Sequence, residues 1–263
     1  MNDKTAYKQV YDYWNETVCC STHASSAPLS RGYFEEIEAY KYINEPEIHA
    51  FAQFSRFHGK EVLEVGVGAG TDFLQWVRSG AIATGVDLTP AGIEHAEIRL
   101  KQYNLEANDL RVANCEELPF ADNSFDLAYS WGVIHHTPDT EKALSELVRV
   151  TKPGGTIKVM VYNRHSLVAY YRWYQMALSK GKPWKSLAWV LDNHMESQGT
   201  KAYTGEEMTA MFTRMGAEVQ SVQKYITCYD RKVPGYEWLV RAFGPDRSGW
   251  FMGVTAIKPG GTR

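Results

Sequence analysis

The chain has 263 residues, of which 44% are hydrophobic and 22% are charged, and its formal net charge is −3. This length suits one α/β domain with a cap or two small domains, and the hydrophobic content is sufficient for a full core. The acidic balance argues against a nucleic-acid partner, and no apolar run reaches the roughly 20 residues of a membrane span, so we expect no membrane partner.

The N-terminal segment, residues 1–45, is predicted to be a helical lid. Aromatic and apolar side chains recur at helical spacing over residues 5–18, and they are Tyr7, Tyr11, Trp14 and Val18. This spacing predicts an amphipathic helix with an aromatic face. A polar loop and a helix over 33–43 follow, and no pattern typical of a signal peptide precedes them. Tyr11 and Trp14 are the candidate substrate contacts of the lid.

Apolar runs and amphipathic stretches alternate from residue 46 onward. Strands are predicted at 61–66, 82–87, 110–114, 125–131, 155–162, 217–225 and 250–258. Helices are predicted from Pro46 and at 70–79, 90–103, 139–150 and 204–215. Such alternation requires a mostly parallel sheet covered by helices on both faces, which is an α/β fold.

The most informative motif follows the first of these strands. Glycines at 66, 68 and 70 end an apolar run, and Asp87 closes the next run 21 positions after Gly66. The pattern predicts a strand, a tight turn, a helix and a second strand whose carboxylate binds a ribose. A dinucleotide fingerprint needs glycine or alanine where this chain has Thr71, so the spacing argues against NAD. A cofactor with a sugar and an adenine but no phosphate, S-adenosylmethionine (SAM), fits better.

Four segments resemble motifs of class I SAM-dependent methyltransferases. They are E-V-G-V-G-A-G-T at 64–71, V-A-N-C-E-E-L-P-F at 112–120, D-N-S-F-D-L-A-Y-S at 122–130 and R-V-T-K-P-G-G-T at 149–156. Their order and wording are most similar to the ubiquinone/menaquinone C-methyltransferase-like branch. The resemblance implies a Rossmann-like fold with a seven-stranded sheet, its last strand antiparallel, and an α-helical cap. It also implies methyl transfer from SAM to a small molecule, with S-adenosylhomocysteine as the product.

These motifs supply the candidate cofactor residues. In the resemblance Glu64 contacts the methionine end, Asp87 binds the ribose, and the loop after the third strand meets the adenine. Asp72 either caps its helix or reaches the cofactor's amino group, and Asp87 could alternatively act as a helix cap. The complete set is Glu64, Gly66, Gly68, Gly70, Asp72, Asp87, Leu88, Asn114, Cys115, Glu116, Ser130 and Trp131. Asn114 and Cys115 stand where the family usually has Asp and Ala.

Two loops at the carboxyl ends of later strands carry the candidate substrate residues. His135, in the sequence S-W-G-V-I-H-H, is the candidate general base, because imidazole titrates near neutral pH. Its neighbour His136 is the alternative, since one histidine of such a pair commonly holds the loop. Tyr162, Arg164 and His165 leave the fifth strand and are expected to contact the substrate. Arg164 could bind a carboxylate or phosphate, or be a solvated loop cation.

An insert over residues 163–203 separates the core at 46–162 from a C-terminal part of the sheet at 204–263. The insert carries seven aromatic residues and six Lys or Arg against two acidic residues. We expect it to cap the substrate pocket, because insertions at the carboxyl ends of strands shape the ligand site in this fold class. The acceptor atom, which could be N, O, C or S, stays open.

The cysteines at 19, 20, 115 and 228 lack zinc-ligand spacing, so we expect no metal and a reducing, cytoplasmic setting. Two alternatives to small-molecule methylation stay open. The cysteines could serve a metalloid (arsenic) methyltransferase, or the chain could bind SAM without catalysis. We expect a monomer or a homodimer with a role in biosynthesis.

Overall fold

The computed structural model describes residues 3–195, 197 and 199–260. Its strands are β1 (Glu61–Val65), β2 (Ile82–Asp87), β3 (Asp109–Val112), β4 (Phe125–Trp131), β5 (Thr151–Asn163), β6 (Ala202–Tyr203), β7 (Glu218–Tyr225) and β8 (Phe251–Ile257). The helices before the insert are α1 (Asp3–Glu16), α2 (Arg31–Asn44), α3 (Glu47–Ala52), α4 (Thr71–Arg78), α5 (Pro90–Gln102) and α6 (Thr140–Val150). The later helices are α7 (Leu167–Met176), α8 (Leu187–His194), α9 (Gly205–Arg214), α10 (Cys228–Arg231), α11 (Tyr236–Phe243) and α12 (Pro245–Ser248).

The strands form one sheet in the order β3-β2-β1-β4-β5-β8-β7. All neighbours along this path are parallel except β8, which runs antiparallel to both β5 and β7. The predicted α/β Rossmann-like sheet with its last strand antiparallel is therefore confirmed. β6 is an addition to the seven predicted strands: it pairs with the end of β5, Tyr162 opposite Ala202, as the insert returns to the core.

The boundaries of several elements differ from the prediction. The first helix ends at Glu16, before Val18, although Val18 is buried in a small cluster with Phe34 and Ala69. β3 ends at Val112 rather than at residue 114, because the chain turns there into the loop that reaches the cleft described below. Pro46 is the residue before α3 and not part of it.

A buried arginine fixes the first glycine-rich turn between α2 and α5. Arg99 on α5 is 0% exposed, and its guanidinium donates to the Ala69 carbonyl at 3.1 Å and to Thr71 Oγ1 at 2.9 Å. It also forms an ion pair with Glu38 of α2 at 2.7 Å. Since removing one partner of a buried ion pair is strongly destabilising, Arg99 holds the turn in one position.

The insert is helical. It contains α7, a short 3-10 turn at Leu178–Lys180, and α8, and α7 begins at a Ser166 side chain that accepts from the Ala169 amide. Some of its aromatic residues are exposed, with Trp184 75% accessible. In the part of the chain that the structure describes, no helix has both the length and the apolar character that crossing a membrane requires.

Candidate functional site

A deep cleft opens at the carboxyl ends of β1, β2 and β4, beneath α1. It contains about 1060 Å³ of empty space, a volume that includes the open solvent at its mouth. Its walls come from six segments that are distant in sequence: 7–20, Lys41, 65–71, 86–92, 113–115 and 131–138. The position, beyond the ends of parallel strands, is where ligands bind in open α/β sheets.

Backbone forms the floor of one end of the cleft. Gly66 and Gly68 have φ of +82° and +49°, in the left-handed region that L side chains seldom adopt. A Cβ on Gly66 would lie 2.2 Å from Val133 Cγ2, so the turn packs directly against the loop after β4. At Gly68, by contrast, the nearest atom to an added Cβ would be Cys19 Cβ at 3.6 Å. Gly70 serves packing rather than the cleft, because its Cβ would meet Ala96 of α5 at 2.9 Å.

Asp87 lies on this floor at the end of β2. Its Oδ2 accepts from the Gly68 amide at 2.9 Å, and its Oδ1 accepts from the Thr89 amide and hydroxyl at 2.9 and 2.8 Å. The cap of α5 is Thr89, whose hydroxyl accepts from the Gly92 amide, so Asp87 supports the helix only indirectly. A carboxylate has about four acceptor positions, which leaves Asp87 capacity toward the cleft that it lines.

A lysine that the sequence did not indicate lines the cleft beside the glycine turn. Lys41 of α2 forms an ion pair with Asp72 at 2.9 Å. Burial alone would lower the pKa of Lys41, but Asp72 and then Glu45 raise it above its usual value. Lys41 is therefore a cation at neutral pH. No local pattern could have identified it, since it precedes the glycine motif by a whole segment.

Asp72 was expected to contact the cofactor, but it does not line the cleft. It is 1% exposed, and besides Lys41 it accepts from the hydroxyls of Tyr42 at 3.1 Å and Tyr129 at 3.0 Å. Asp72 could therefore affect a ligand only indirectly, by holding Lys41.

Glu64 also lies away from the cleft. Because successive side chains of a strand point to opposite faces, Val65 lines the cleft and Glu64 does not. Its Oε2 is buried with no hydrogen-bond partner among the described residues. Burial, and then the charge of Asp72, raises the pKa of Glu64 well above its usual value.

The loop after β3 reaches the cleft through residues 113–115, and Leu88, directly after Asp87, also lines the cleft. Asn114 Oδ1 accepts from the Glu116 amide at 2.9 Å, which folds the loop on itself. Glu116 is not at the cleft: its carboxylate accepts from the Asp139 amide at 2.8 Å. Burial, followed by the charge of Glu116, raises the pKa of Cys115 to about 12, so Cys115 is a neutral wall residue.

The other end of the cleft is formed by side chains. Tyr7, Val10 and Trp14 of α1 line the cleft, as does Trp131, whose indole N–H donates to Glu45 at 2.7 Å. Tyr11 is on the same helix but does not line the cleft, and Ser130 is fully buried outside it.

The structure corrects the choice between the two histidines: His136 lines the cleft and His135 does not. His135 is 0% exposed, neither ring nitrogen has a partner among the described residues, and its ring packs 4.1 Å from that of Tyr162. The two residues lie in a 3-10 turn, Ile134–His136, in which successive side chains point about 120° apart. This rotation, which the sequence does not reveal, sends one ring into the core and the other to the cleft.

His136 is held in place and neutral. Its Nδ1 lies 3.0 Å from Ser197 Oγ and 2.9 Å from Thr200 Oγ1, and its ring meets Trp14 edge-on at 5.3 Å. Burial, and then the positive charge of Lys201, lowers the pKa of His136 to about 3.

The three residues predicted at the end of β5 are not brought to the cleft. Tyr162 stacks on Trp250 at 4.2 Å, and Arg164 pairs with Glu207 at 2.6 Å. His165 Nδ1 lies 2.7 Å from the Tyr170 hydroxyl. Of these contacts, the Arg164–Glu207 ion pair joins the insert to α9.

Three cysteines do converge on the cleft, namely Cys19, Cys20 and Cys115. Cys19 and Cys20 Sγ are 3.6 Å apart. Among the described residues, however, no group of three or more His, Cys, Asp or Glu side chains is arranged to hold a metal ion.

Comparison with known proteins agrees with this geometry. Residues 63–159 match the protein family described as "Methyltransferase domain". The chain is 31% identical over 167 residues to phthiotriol/phenolphthiotriol dimycocerosates methyltransferase 1 of Mycobacterium ulcerans. This match covers 59% of this chain and 60% of that protein. An uncharacterised protein of Mycobacterium tuberculosis is 32% identical over 166 residues, which are 60% of this chain and 57% of that protein. The chain thus spans less than two thirds of the length of these curated relatives.

A solved structure has a similar fold over nearly the full length. Geranyl diphosphate C-methyltransferase from Streptomyces coelicolor A3(2), in complex with Mg²⁺, geranyl diphosphate and S-adenosylhomocysteine, superposes with a TM-score of 0.64 at 15% identity. The match covers 96% of this chain and 97% of that one. The fold is that of class I methyltransferases, as predicted, and residues 63–159 match the methyltransferase-domain family, a likeness that supports SAM as the cofactor.

Proposed function

We propose that this chain is a SAM-dependent methyltransferase that moves a methyl group to an N, O, C or S atom of a small-molecule acceptor. One observation carries the proposal: a single cleft joins a backbone-lined end at Asp87 to an aromatic end at Trp14 and His136. The first end suits a cofactor, and the second suits an acceptor that must approach it. The lid at 1–45 and the insert at 163–203 would then cover the 46–162 core, with 204–263 completing the sheet.

The cofactor would lie along the floor of the cleft. Asp87 would accept from the ribose hydroxyls, and residues 113–115 with Leu88 would surround the adenine. Lys41, at the opposite side of the glycine turn, would pair with the carboxylate of the methionine portion. Each of these residues lines the cleft, and the pairing of a cation with a carboxylate follows from their charges.

The chain's contribution to the reaction would be alignment and exclusion of water. The methyl of a sulfonium is already a good electrophile, so the nucleophile needs mainly to be held in line with the S–CH₃ bond. Trp14, Trp131 and Tyr7 supply apolar walls at this end. His136 is neutral because burial keeps its pKa near 3, so it would accept a hydrogen bond from the acceptor rather than carry a proton at neutral pH.

The motif wording, which is most similar to the ubiquinone/menaquinone C-methyltransferase branch, supports quinone-like and phenolic acceptors as the first to test. The relative from M. ulcerans, named for lipid acceptors, and the geranyl diphosphate enzyme, named for a prenyl one, support apolar acceptors in general. The aromatic walls of the cleft fit either class.

Calorimetric titration with SAM, S-adenosylhomocysteine and NAD tests the cofactor end. We expect binding of the first two at micromolar concentrations and none of NAD. Transfer of an isotopically labelled methyl group to a panel of phenols, quinones and prenyl lipids then tests the acceptor end. Binding of both SAM and S-adenosylhomocysteine without transfer to any class would favour the alternative of a non-catalytic SAM-binding protein.

A further inference from the structure

The turn after α1 holds two adjacent thiols at the wall of the cleft. Cys19 and Cys20 Sγ are 3.6 Å apart, and both residues line the cleft. Cys20 has φ of +64°, a left-handed conformation that is uncommon for a residue with a side chain. Cys19 stands over the glycine turn, with its Cβ 3.6 Å from the position of a Cβ at Gly68. The dithiol therefore faces the space proposed for the cofactor.

The environment of the pair favours a reactive thiolate. Cys19 is exposed and Cys20 half-buried, so a small oxidant can reach them. A hydrogen bond from the Cys19 thiol lowers the pKa of Cys20, burial opposes this, and the positive charge of Lys41 adds to the lowering. The same hydrogen bond raises the pKa of Cys19. One sulfur is thereby prepared as the nucleophile and its neighbour as the resolving thiol.

The other two cysteines lack this combination. Cys115 lines the cleft but is buried, and its pKa of about 12 keeps it a neutral thiol. Cys228 is half-buried outside the cleft, and burial raises its pKa. They provide internal controls for thiol chemistry at the pair.

We propose that Cys19 and Cys20 form an oxidation site at which a hydroperoxide converts the dithiol into a disulfide between adjacent residues and so weakens cofactor binding. The Cys20 thiolate attacks the outer oxygen of ROOH, the O–O bond breaks, and the products are Cys20 sulfenic acid and ROH after protonation. Cys19 then attacks the sulfenic sulfur, the S–O bond breaks, and hydroxide leaves as water with the Cys19 proton. Two thiols and one hydroperoxide thus yield one disulfide, one alcohol and one water.

Disulfide formation should weaken cofactor binding because the Cys19–Cys20 turn is linked to other parts of the cleft wall. The two sulfurs must approach from 3.6 Å to about 2.05 Å, and two adjacent residues can achieve this only if their backbone changes. Val18, directly before the pair, packs in the same buried cluster as Ala69 of the glycine turn. On the same, N-terminal side of the pair lies α1, whose Tyr7 and Trp14 line the cleft. This consequence rests on the proposed cofactor site.

The experiment uses the full chain, reduced and then treated with limiting hydrogen peroxide. We expect an intact mass lower by about 2 Da and a fall from four to two titratable thiols after denaturation, with the disulfide mapped to residues 19–20. Calorimetry should show S-adenosylhomocysteine binding about tenfold weaker or more, and dithiothreitol should restore it.

Cys19→Ser and Cys20→Ser should each abolish the decrease of about 2 Da and the dithiothreitol-reversible loss of affinity that the disulfide causes, every variant being compared with its own reduced form. Cys19→Ser, which lacks the resolving thiol, should instead gain the mass of one oxygen at Cys20. Cys228→Ser should keep both responses. A reduced protein that binds S-adenosylhomocysteine but shows no mass change, forms its disulfide elsewhere, or binds equally well after oxidation would overturn the proposal. A reduced protein that does not bind S-adenosylhomocysteine would instead overturn the proposed cofactor site, while mass and thiol count still decide whether the pair oxidises.

Discussion

The two ends of the cleft are built in different ways. At the cofactor end the floor is backbone and one carboxylate within residues 65–92, whose positions follow from where two neighbouring strands stop, and Lys41 and residues 113–115 complete the walls. At the acceptor end the walls are side chains of α1, the loop after β4 and, behind His136, Ser197 and Thr200. From this difference we expect the first end to tolerate few substitutions, because its shape depends on the backbone, and the second end to tolerate more without a change of fold.

The largest expected effect would break the backbone-lined end. Gly66→Ala places a Cβ 2.2 Å from Val133 and in a left-handed conformation, and we expect a loss of about 2–4 kcal/mol in the free energy of unfolding. Gly154→Ala is the matched control, because its φ is +78° but an added Cβ would meet nothing within 4 Å, so it should lose only about 1 kcal/mol. Denaturant unfolding measures both. Equal losses would show that Gly66 is needed for its dihedral angle alone.

Removing the single carboxylate at the same end should act on binding. We expect Asp87→Ala to weaken S-adenosylhomocysteine binding by about 1.5–3 kcal/mol, because charge-assisted hydrogen bonds are lost. Asp109→Ala, at an ion pair with Arg111 on the adjacent strand, should change the affinity by less than about 0.5 kcal/mol. Calorimetry compares the affinities of the two variants for S-adenosylhomocysteine. Unchanged affinity of the Asp87 variant would contradict the proposed contact between Asp87 and the ribose.

At the acceptor end the comparison predicts a dependence on pH. His136 has a pKa of about 3 when folded and an ordinary value near 6.5 when unfolded, so below pH 6.5 the unfolded state gains a proton that the folded state does not. The contribution of the neutral His136 ring to the free energy of unfolding is fully present above about pH 6.5. It falls as the pH drops towards 3, and the loss is about 2 kcal/mol at pH 5. Denaturant unfolding of the wild type and of His136→Gln at pH 7 and pH 5 isolates the contribution of His136 to the free energy of unfolding. A variant with the same pH 7-to-5 loss as the wild type would contradict a buried neutral ring.

The smallest expected effect separates the two ends. Trp14→Ala removes a wall of the acceptor end and the edge-on contact with His136, and we expect kcat/KM for the acceptor to fall about tenfold, equivalent to about 1.4 kcal/mol. Binding of S-adenosylhomocysteine should change less than about twofold. Tyr11→Ala, on the same helix but not lining the cleft, should alter neither value. If both variants weakened cofactor binding alike, α1 would be acting as a general support and not as part of the acceptor site.

The sequence predicted the cofactor end well because its determinants are local. A strand, three glycines and an acidic residue at the next strand end lie within one βαβ unit, and strand alternation with helices leaves little choice of sheet. The predicted positions of Gly66 and Gly68 in the turn after β1 and of Asp87 at the end of β2 match the structure, and their contact with the cofactor stays a prediction. Glu64, by contrast, lies away from the cleft although it is in the same unit.

The sequence alone thus determined the order of the elements, the parallel sheet and the glycine turn, because each depends on residues close together in the chain. The tertiary structure decided the rest. It brought Lys41 and the Cys19–Cys20 pair to the glycine turn, buried Arg99 behind it, and chose His136 over His135. Those contacts join segments that are far apart in sequence, and their geometry depends on how helices and 3-10 turns rotate as they pack, which no local pattern records.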